Sequence, residues 1–364
     1  MPPKPRLLWE RKLANQGLGG VAATGEHVVV VDRDAADLSD VFRCLDAATG
    51  AERWVLRYPA PGNLDYGNSP RATPLIVDDR VYLFGAFGHL TCARLATGEI
   101  LWRRDLRREF GVTKQLVWGF AGSPLLVDDA LIVQPGGPAA SLVALDPRTG
   151  ATLRQTPGDP AAFASPVVGE FGGVRQIVGY DEKSLGGWDV ATGRPLWKLV
   201  PPEADDFNVP TPIPLAGKLL VTTENNGTRL YGFAADGRIR ATPLARFDDL
   251  APDTHTPVVV GERLFGVWSG RLYALDATTL QLLYEAEDDA FTDYASLIAS
   301  PTRLLVVTQY AEAILADATS DAWKPLARVR LVPDESGLFS HPALVGDRLY
   351  VRMSDRIVCV ALAN

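Results

Sequence analysis

A short phrase recurs along this chain and restricts what it can fold into. RCLDAATGAERW ends at Trp54, CARLATGEILW at Trp102, ALDPRTGATLR at Arg154, GWDVATGRPLW at Trp197 and YALDATTLQLLY at Tyr284. YGFAADGRIR, with Asp236 and Gly237 in the Thr-Gly place, and ILADATSDAWKP, around Asp321, are weaker copies. The turn positions Gly50, Gly98, Gly150, Gly193, Gly237, Leu280 and Asp321 follow one another at steps of 41 to 52 residues. Self-similarity at that period belongs to solenoids and propellers.

Each unit has one grammar. A Ser/Thr-Pro pair opens a short apolar strand, as at Thr73-Pro74, Ser123-Pro124, Ser165-Pro166, Thr211-Pro212 and Thr256-Pro257. A polar turn, a second strand, a third strand ending in Leu-Asp, the Ala-Thr-Gly turn and a fourth strand carrying Trp follow. Branched and aromatic residues at period two between Gly and Asp turns signal strands, and no stretch has a helical period. Four short strands per unit make a propeller blade. The C-terminal HPALVGDRLYVRMSDRIVCVALAN supplies three strands, and LLWERKL supplies a fourth at the other end, with Trp9 one repeat of 45 residues before Trp54. The expected fold is an all-β, eight-bladed propeller of four-stranded antiparallel blades. It forms a single domain over 1–364, its ring closed by the N-terminal strand in the C-terminal blade.

The repeat residues have structural tasks. The turn glycine permits a positive φ, Asp46, Asp146, Asp189 and Asp276 accept from their own turn backbone, and Trp9, Trp54, Trp102 and Trp197 pack between neighbouring blades. Cys44, Cys92 and Cys359 share one repeat position, which is Ala144, Gly187 and Ala274 elsewhere. A position that accepts Cys, Ala or Gly is a tight interior slot. Three free thiols are expected, which favours a reducing compartment weakly.

Composition excludes several classes. Apolar residues are 47% and charged residues 22% of the 364, too apolar for disorder. With 36 Lys and Arg against 44 Asp and Glu, the net charge of −8 speaks against a nucleic-acid partner. No apolar run reaches the ~18 residues of a membrane span. MPPKPRLLWERKL has no apolar signal region, so the expected location is the cytoplasm, or an exported compartment if a signal was trimmed. A monomer is expected.

The LD-x-x-TG-x-x-x-W phrase with Ser/Thr-Pro openings resembles the pyrroloquinoline-quinone-type repeat. YGNSPRATPLIVDDRVYLFGAFGHLTCARLATGEILWRRDL and WGFAGSPLLVDDALIVQPGGPAASLVALDPRTG are similar to a bacterial subfamily called quinoprotein-like or polyvinyl-alcohol-dehydrogenase-like. The resemblance covers essentially the whole chain. It implies kinship with eight-bladed quinoprotein alcohol dehydrogenases and with quinone-free relatives such as the propeller lipoprotein of the outer-membrane barrel-assembly machine. The dehydrogenases hold their quinone between a vicinal Cys-Cys disulfide and a Trp, beside a Ca²⁺. This chain has no Cys-Cys pair and no Cys-x-x-Cys-His haem motif.

No Gly-x-Ser-x-Gly elbow, Walker loop or His-Glu-x-x-His appears, so no metal or catalytic residue is expected. The loops between blades are the variable segments, and loops on a rigid scaffold carry function. YPAPGNLDYGNSPR presents Tyr66, Asn68 and Arg71, and RRDLRREFGVTKQLVWGF presents Arg108, Lys114 and Trp118 in a basic setting. PPEADDFN holds Asp206 and Asn208, EAEDDAFTDY holds Asp293 and Tyr294, and the acidic loops, with RFDDLAPDTH and VPDES, have only Arg246 to oppose them. His255 and His341 flank strand openings. The leading reading is a non-catalytic scaffold binding a protein or peptide partner through these loops, with no cofactor. One alternative is an alcohol oxidoreductase that uses pyrroloquinoline quinone and Ca²⁺. Trp118 would stack on the quinone, Arg71 and Lys114 hold its carboxylates, and Asp293 or Asp206 serve as metal ligand or base. Another is a carbohydrate-binding propeller that stacks sugars on Tyr66, Trp118 and Tyr294.

Overall fold

A computed structural model describes residues 5–291, 294–333 and 337–363. The alternating apolar segments form eight four-stranded antiparallel sheets, an eight-bladed propeller. Blade one spans 22–59, blade two 75–105, blade three 125–156, blade four 167–199, blade five 213–247, blade six 258–287 and blade seven 295–330. Blade eight takes three strands from 343–361 and its fourth, Arg6–Lys12, from the other end of the chain. Leu7 pairs with Val360 and Trp9 with Cys359. The chain divides into two compact units, residues 1–161 with 329–364 and residues 162–328.

Within each blade the repeat is a packing device. The small residue of the third strand lies across from the aromatic of the fourth: Cys44 opposite Trp54, Cys92 opposite Trp102, Gly187 opposite Trp197, Ala274 opposite Tyr284. The ladder slips by one residue directly after this pair in blades one, two, four and six, and such bulges bend and twist a strand. The tight slot is therefore room for an indole. All three cysteines are buried and free, and burial pushes the Cys44 thiol up to about 12 and Cys359 to about 11.

Each Trp then reaches the neighbouring blade. Trp9 Nε1 donates to Ala47 O at 3.1 Å, Trp54 Nε1 to Leu95 O at 2.7 Å and Trp102 Nε1 to Pro147 O at 3.1 Å. The rings lie on the turn glycines: a Cβ on Gly50 would meet Trp9 at 2.5 Å, and one on Gly98 would meet Trp54 at 2.8 Å. Both glycines have positive φ, 66° and 73°. In the second unit Trp197 Nε1 donates to Gln176 Oε1, and Gln176 Nε2 donates on to Gly237 O, both at 2.7 Å. The Ser/Thr openings link blades too. Thr73 N donates to Ser123 Oγ at 3.0 Å, and Thr211 N donates to Thr256 Oγ1 at 2.9 Å.

One element departs from the expectation of strands alone. Residues Leu106–Glu109 form a single helical turn after blade two. Asp105 Oδ1 accepts from Arg108 N and Glu109 Oε1 accepts from Asp105 N, both at 3.0 Å, a reciprocal cap. The turn is too short to leave a helical period in the sequence.

Candidate functional site

In the first unit, two loops between blades are fastened to each other. Asp65 N donates to Val117 O at 3.1 Å, and Gln115 Nε2 donates to Asn63 O at 2.9 Å. Asn68 is the internal brace of the first loop: it is buried, its Oδ1 accepts from Leu64 N at 2.9 Å, and its Nδ2 donates to Asp37 Oδ2 at 2.6 Å. The second loop is anchored by buried Leu106, Val112, Leu116 and Phe120, with Phe120 N donating to Ala86 O at 2.9 Å.

What these braces display is apolar. Tyr66 is 70% exposed and sits at φ 60°, a left-handed conformation that a bulky residue adopts only when its surroundings enforce it. Trp118 meets it edge-on, with ring centroids 6.4 Å apart. Val117 beside Trp118 is exposed, and so is Leu38, on the turn whose Asp37 receives Asn68.

The cations of this region differ in their engagement. Arg71 donates from Nη2 to the carbonyls of Asp65 and Gly67, while its Nη1 is buried without a partner. Burial brings its pKa down to about 10, against the pull of Asp65. Arg104 is paired with Glu109 and lies 5.6 Å from the centre of the Phe110 ring. Arg103 stacks 4.5 Å over Tyr58 and donates to Thr91 Oγ1. Arg108 and Lys114 are exposed on the second loop. His341 is exposed, its Nδ1 3.3 Å from its neighbour's carbonyl at Pro342.

The second unit holds the remaining candidates, and there the side chains serve the loops. Asp206 is buried, its Oδ1 accepting from Asn225 N at 2.8 Å and its Oδ2 from Asn226 Nδ2 at 2.5 Å. Asn208, at φ 55° and 2% exposed, accepts at its backbone oxygen from Ala164 N at 2.8 Å. His255 is buried and its Nε2 accepts from Val267 N at 3.2 Å. Tyr294 precedes the first strand of blade seven, and its carbonyl accepts from Gln309 N at 3.0 Å. Asp293, like Asp334 and Glu335, lies outside the described residues.

The expectation that the acidic loops have only Arg246 to oppose them needs correcting. Arg271 pairs with both Glu285 and Glu287, and Arg328 pairs with Asp288 and Glu312. Arg271 comes from the neighbouring strand of the same ladder and Arg328 from the next blade, and loop composition includes neither. Among the described residues, no three His, Cys, Asp or Glu side chains come together in a way that could hold a metal ion. Nor is any helix among them long and apolar enough to cross a membrane.

Comparison with known proteins places this geometry in a family. The outer membrane protein assembly factor BamB of Shewanella oneidensis is 23% identical over 345 residues, covering 80% of this chain and 85% of that protein. The crystal structure of BamB from Moraxella catarrhalis superposes with a TM-score of 0.68 at 15% identity, over 98% of this chain and 99% of the other. A quinohemoprotein alcohol dehydrogenase from Pseudomonas putida HK5 gives the same TM-score at 14% identity, over 98% of this chain and 76% of the enzyme. At such identities the two structures speak for the fold alone, and they do so equally for a non-enzymatic and an enzymatic propeller. The family profile described as outer membrane protein assembly factor BamB matches residues 3–240, about two thirds of the chain. The chain belongs to this BamB family of quinoprotein-type repeat propellers.

Proposed function

We propose that this protein is a binding scaffold that engages a protein partner during outer membrane protein assembly, through the face formed by Leu38, Tyr66, Val117 and Trp118. The observation that carries the reading is Tyr66, held outward in a strained conformation on a loop braced from two sides. Exposed aromatics on a rigid support are the usual anchors of protein interfaces, because they bury a large area and lose little freedom on binding. The assembly factor from S. oneidensis supports the biological setting.

The reading involves no quinone and no Ca²⁺. Cys44, Cys92 and Cys359 lie on the third strands of three different blades, so the vicinal disulfide of a quinone site cannot form. Trp118 and Tyr66 meet in a T-shaped pair, and Arg71 is tied to backbone carbonyls.

The test is to recover partners of the immobilised chain from detergent-solubilised outer membranes, purify the partner, and titrate it calorimetrically. Tyr66→Ala and Trp118→Ala should each weaken binding at least tenfold with the fold intact by circular dichroism. An affinity unchanged in both variants would refute the proposed face.

A further inference from the structure

Beside Leu38, whose carbonyl accepts from Ala60 N at 2.9 Å, and formed entirely within the first unit, lies a pocket of about 390 Å³. Ala60 and Pro61 come from one loop, Phe87 and His89 from the second hairpin of blade two, and Arg107, Arg108 and Val112 from the loop that follows. The volume is that of a site for a single side chain or small ligand.

Its polar groups are unevenly satisfied. Asp105, on the wall, is occupied as the cap of the helical turn, and nearby Glu109 is occupied by Arg104 and by Asp105 N. Among the described residues neither Arg107 nor Arg108 makes a side-chain hydrogen bond or ion pair. His89 has its Nδ1 buried without a partner. Burial lowers the pKa of His89, which favours the neutral ring and adds no charge to the pocket.

We infer that this pocket receives a carboxylate side chain from an acidic segment of the protein partner, with Arg107 and Arg108 as its cationic jaws. Two guanidinium forks match the geometry of a carboxylate. Two arginines against one aspartate leave a single net positive charge, which suits a monoanion better than a phosphate dianion. Phe87, Pro61 and Val112 supply apolar wall for an aliphatic stem such as that of Glu. The inference rests on the proposed partner-binding role and adds to it an acidic residue that docks beside Leu38 of the same face.

The experiment uses the purified full chain and a fluorescein-labelled, acetylated tetra-glutamate peptide, read by fluorescence anisotropy. Binding should be salt-sensitive, at least tenfold weaker for the tetra-glutamine peptide, and at least tenfold weaker for the Arg107→Gln/Arg108→Gln double variant. Trp118→Ala should retain peptide binding while losing the protein partner. Equal binding of the two peptides, or an unchanged affinity in the double variant, would overturn the inference. So would displacement of the peptide by inorganic phosphate at a lower concentration than by acetate, which would mark a phosphate site. If the peptide assay fails while Trp118→Ala still abolishes the partner interaction, the pocket is refuted and the aromatic face stands.

Discussion

Trp54 of blade one donates its indole N–H to the carbonyl of Leu95 in blade two, 2.7 Å away, and lays its ring on Gly98 of the same turn. Trp9 and Trp102 repeat the arrangement on Ala47 and Pro147. One residue thus fills a slot in its own blade and satisfies the turn of the next, so neighbouring blades stabilise each other in pairs.

Trp54→Ala should destabilise the fold by about 3–5 kcal/mol, the usual cost of emptying a large buried aromatic site. Trp54→Phe retains most of the apolar contact but leaves the Leu95 carbonyl unpaired, at a cost of about 1–3 kcal/mol. Guanidinium denaturation of both variants checks the order; a Phe variant as unstable as the Ala variant would assign the effect to the hydrogen bond.

Gly50→Ala should be more damaging than an ordinary Gly→Ala change at a turn. The left-handed backbone costs about 1 kcal/mol for a residue with a side chain, and the new Cβ would lie 2.5 Å from the indole of Trp9. Leu280 occupies the equivalent turn position at φ 55° without glycine, but its side chain is buried among Leu250, Leu264 and Tyr273. Leu280→Gly should therefore still destabilise in the same thermal melt: the emptied site costs about 2–5 kcal/mol, more than the backbone relief returns.

Burial raises Asp40 to about 6, although Arg33 and Tyr58 pull it down. Its folded pKa lies above the unfolded value, so the folded state holds the extra proton between roughly pH 4 and 6. Stability should therefore fall as pH rises through that window, by an amount on the order of 3 kcal/mol, and be flat in this group's contribution above it. Urea titrations across pH 4–7 should show the slope, and Asp40→Asn should remove it.

The thiols offer a chemical check. Ellman's reagent should react slowly with the native protein, because burial raises the pKa of all three thiols. It should report three thiols in guanidinium, matching the three cysteines of the sequence. Rapid reaction of any thiol in the native state would contradict the slot opposite the indoles.

The blades were legible because each repeats one local pattern, and the slot shared by Cys44, Cys92 and Cys359 could be read from alignment of the units alone. The candidate site was legible only in its loops. In VDRDAADLSD three charged side chains, Arg33, Asp32 and Asp40, are almost fully buried. Arg33 binds Asp40 at 2.6 Å and the Ala60 carbonyl at 2.7 Å, and so props the loop that leads to Tyr66. Such a network depends on which distant groups meet, and residue spacing carries no record of that. The same reason hid the partners Arg271 and Arg328 from a count of loop charges, and let Asn68 pass for a ligand contact when it is a brace.

The pairing of Leu7 with Val360 has a consequence for how the molecule comes into being. The first strand of the propeller finds its ladder partner only after the other seven blades and the rest of its own sheet have been made. Closing a loop of some 350 residues costs about 5 kcal/mol in chain entropy beyond a constant, and contacts so distant in sequence form late. Until then Trp9 has no Cys359 to cover, and blade one lacks the completed sheet that flanks it. Blade eight is therefore the last to be completed, and its outer strand waits while seven other blades are made.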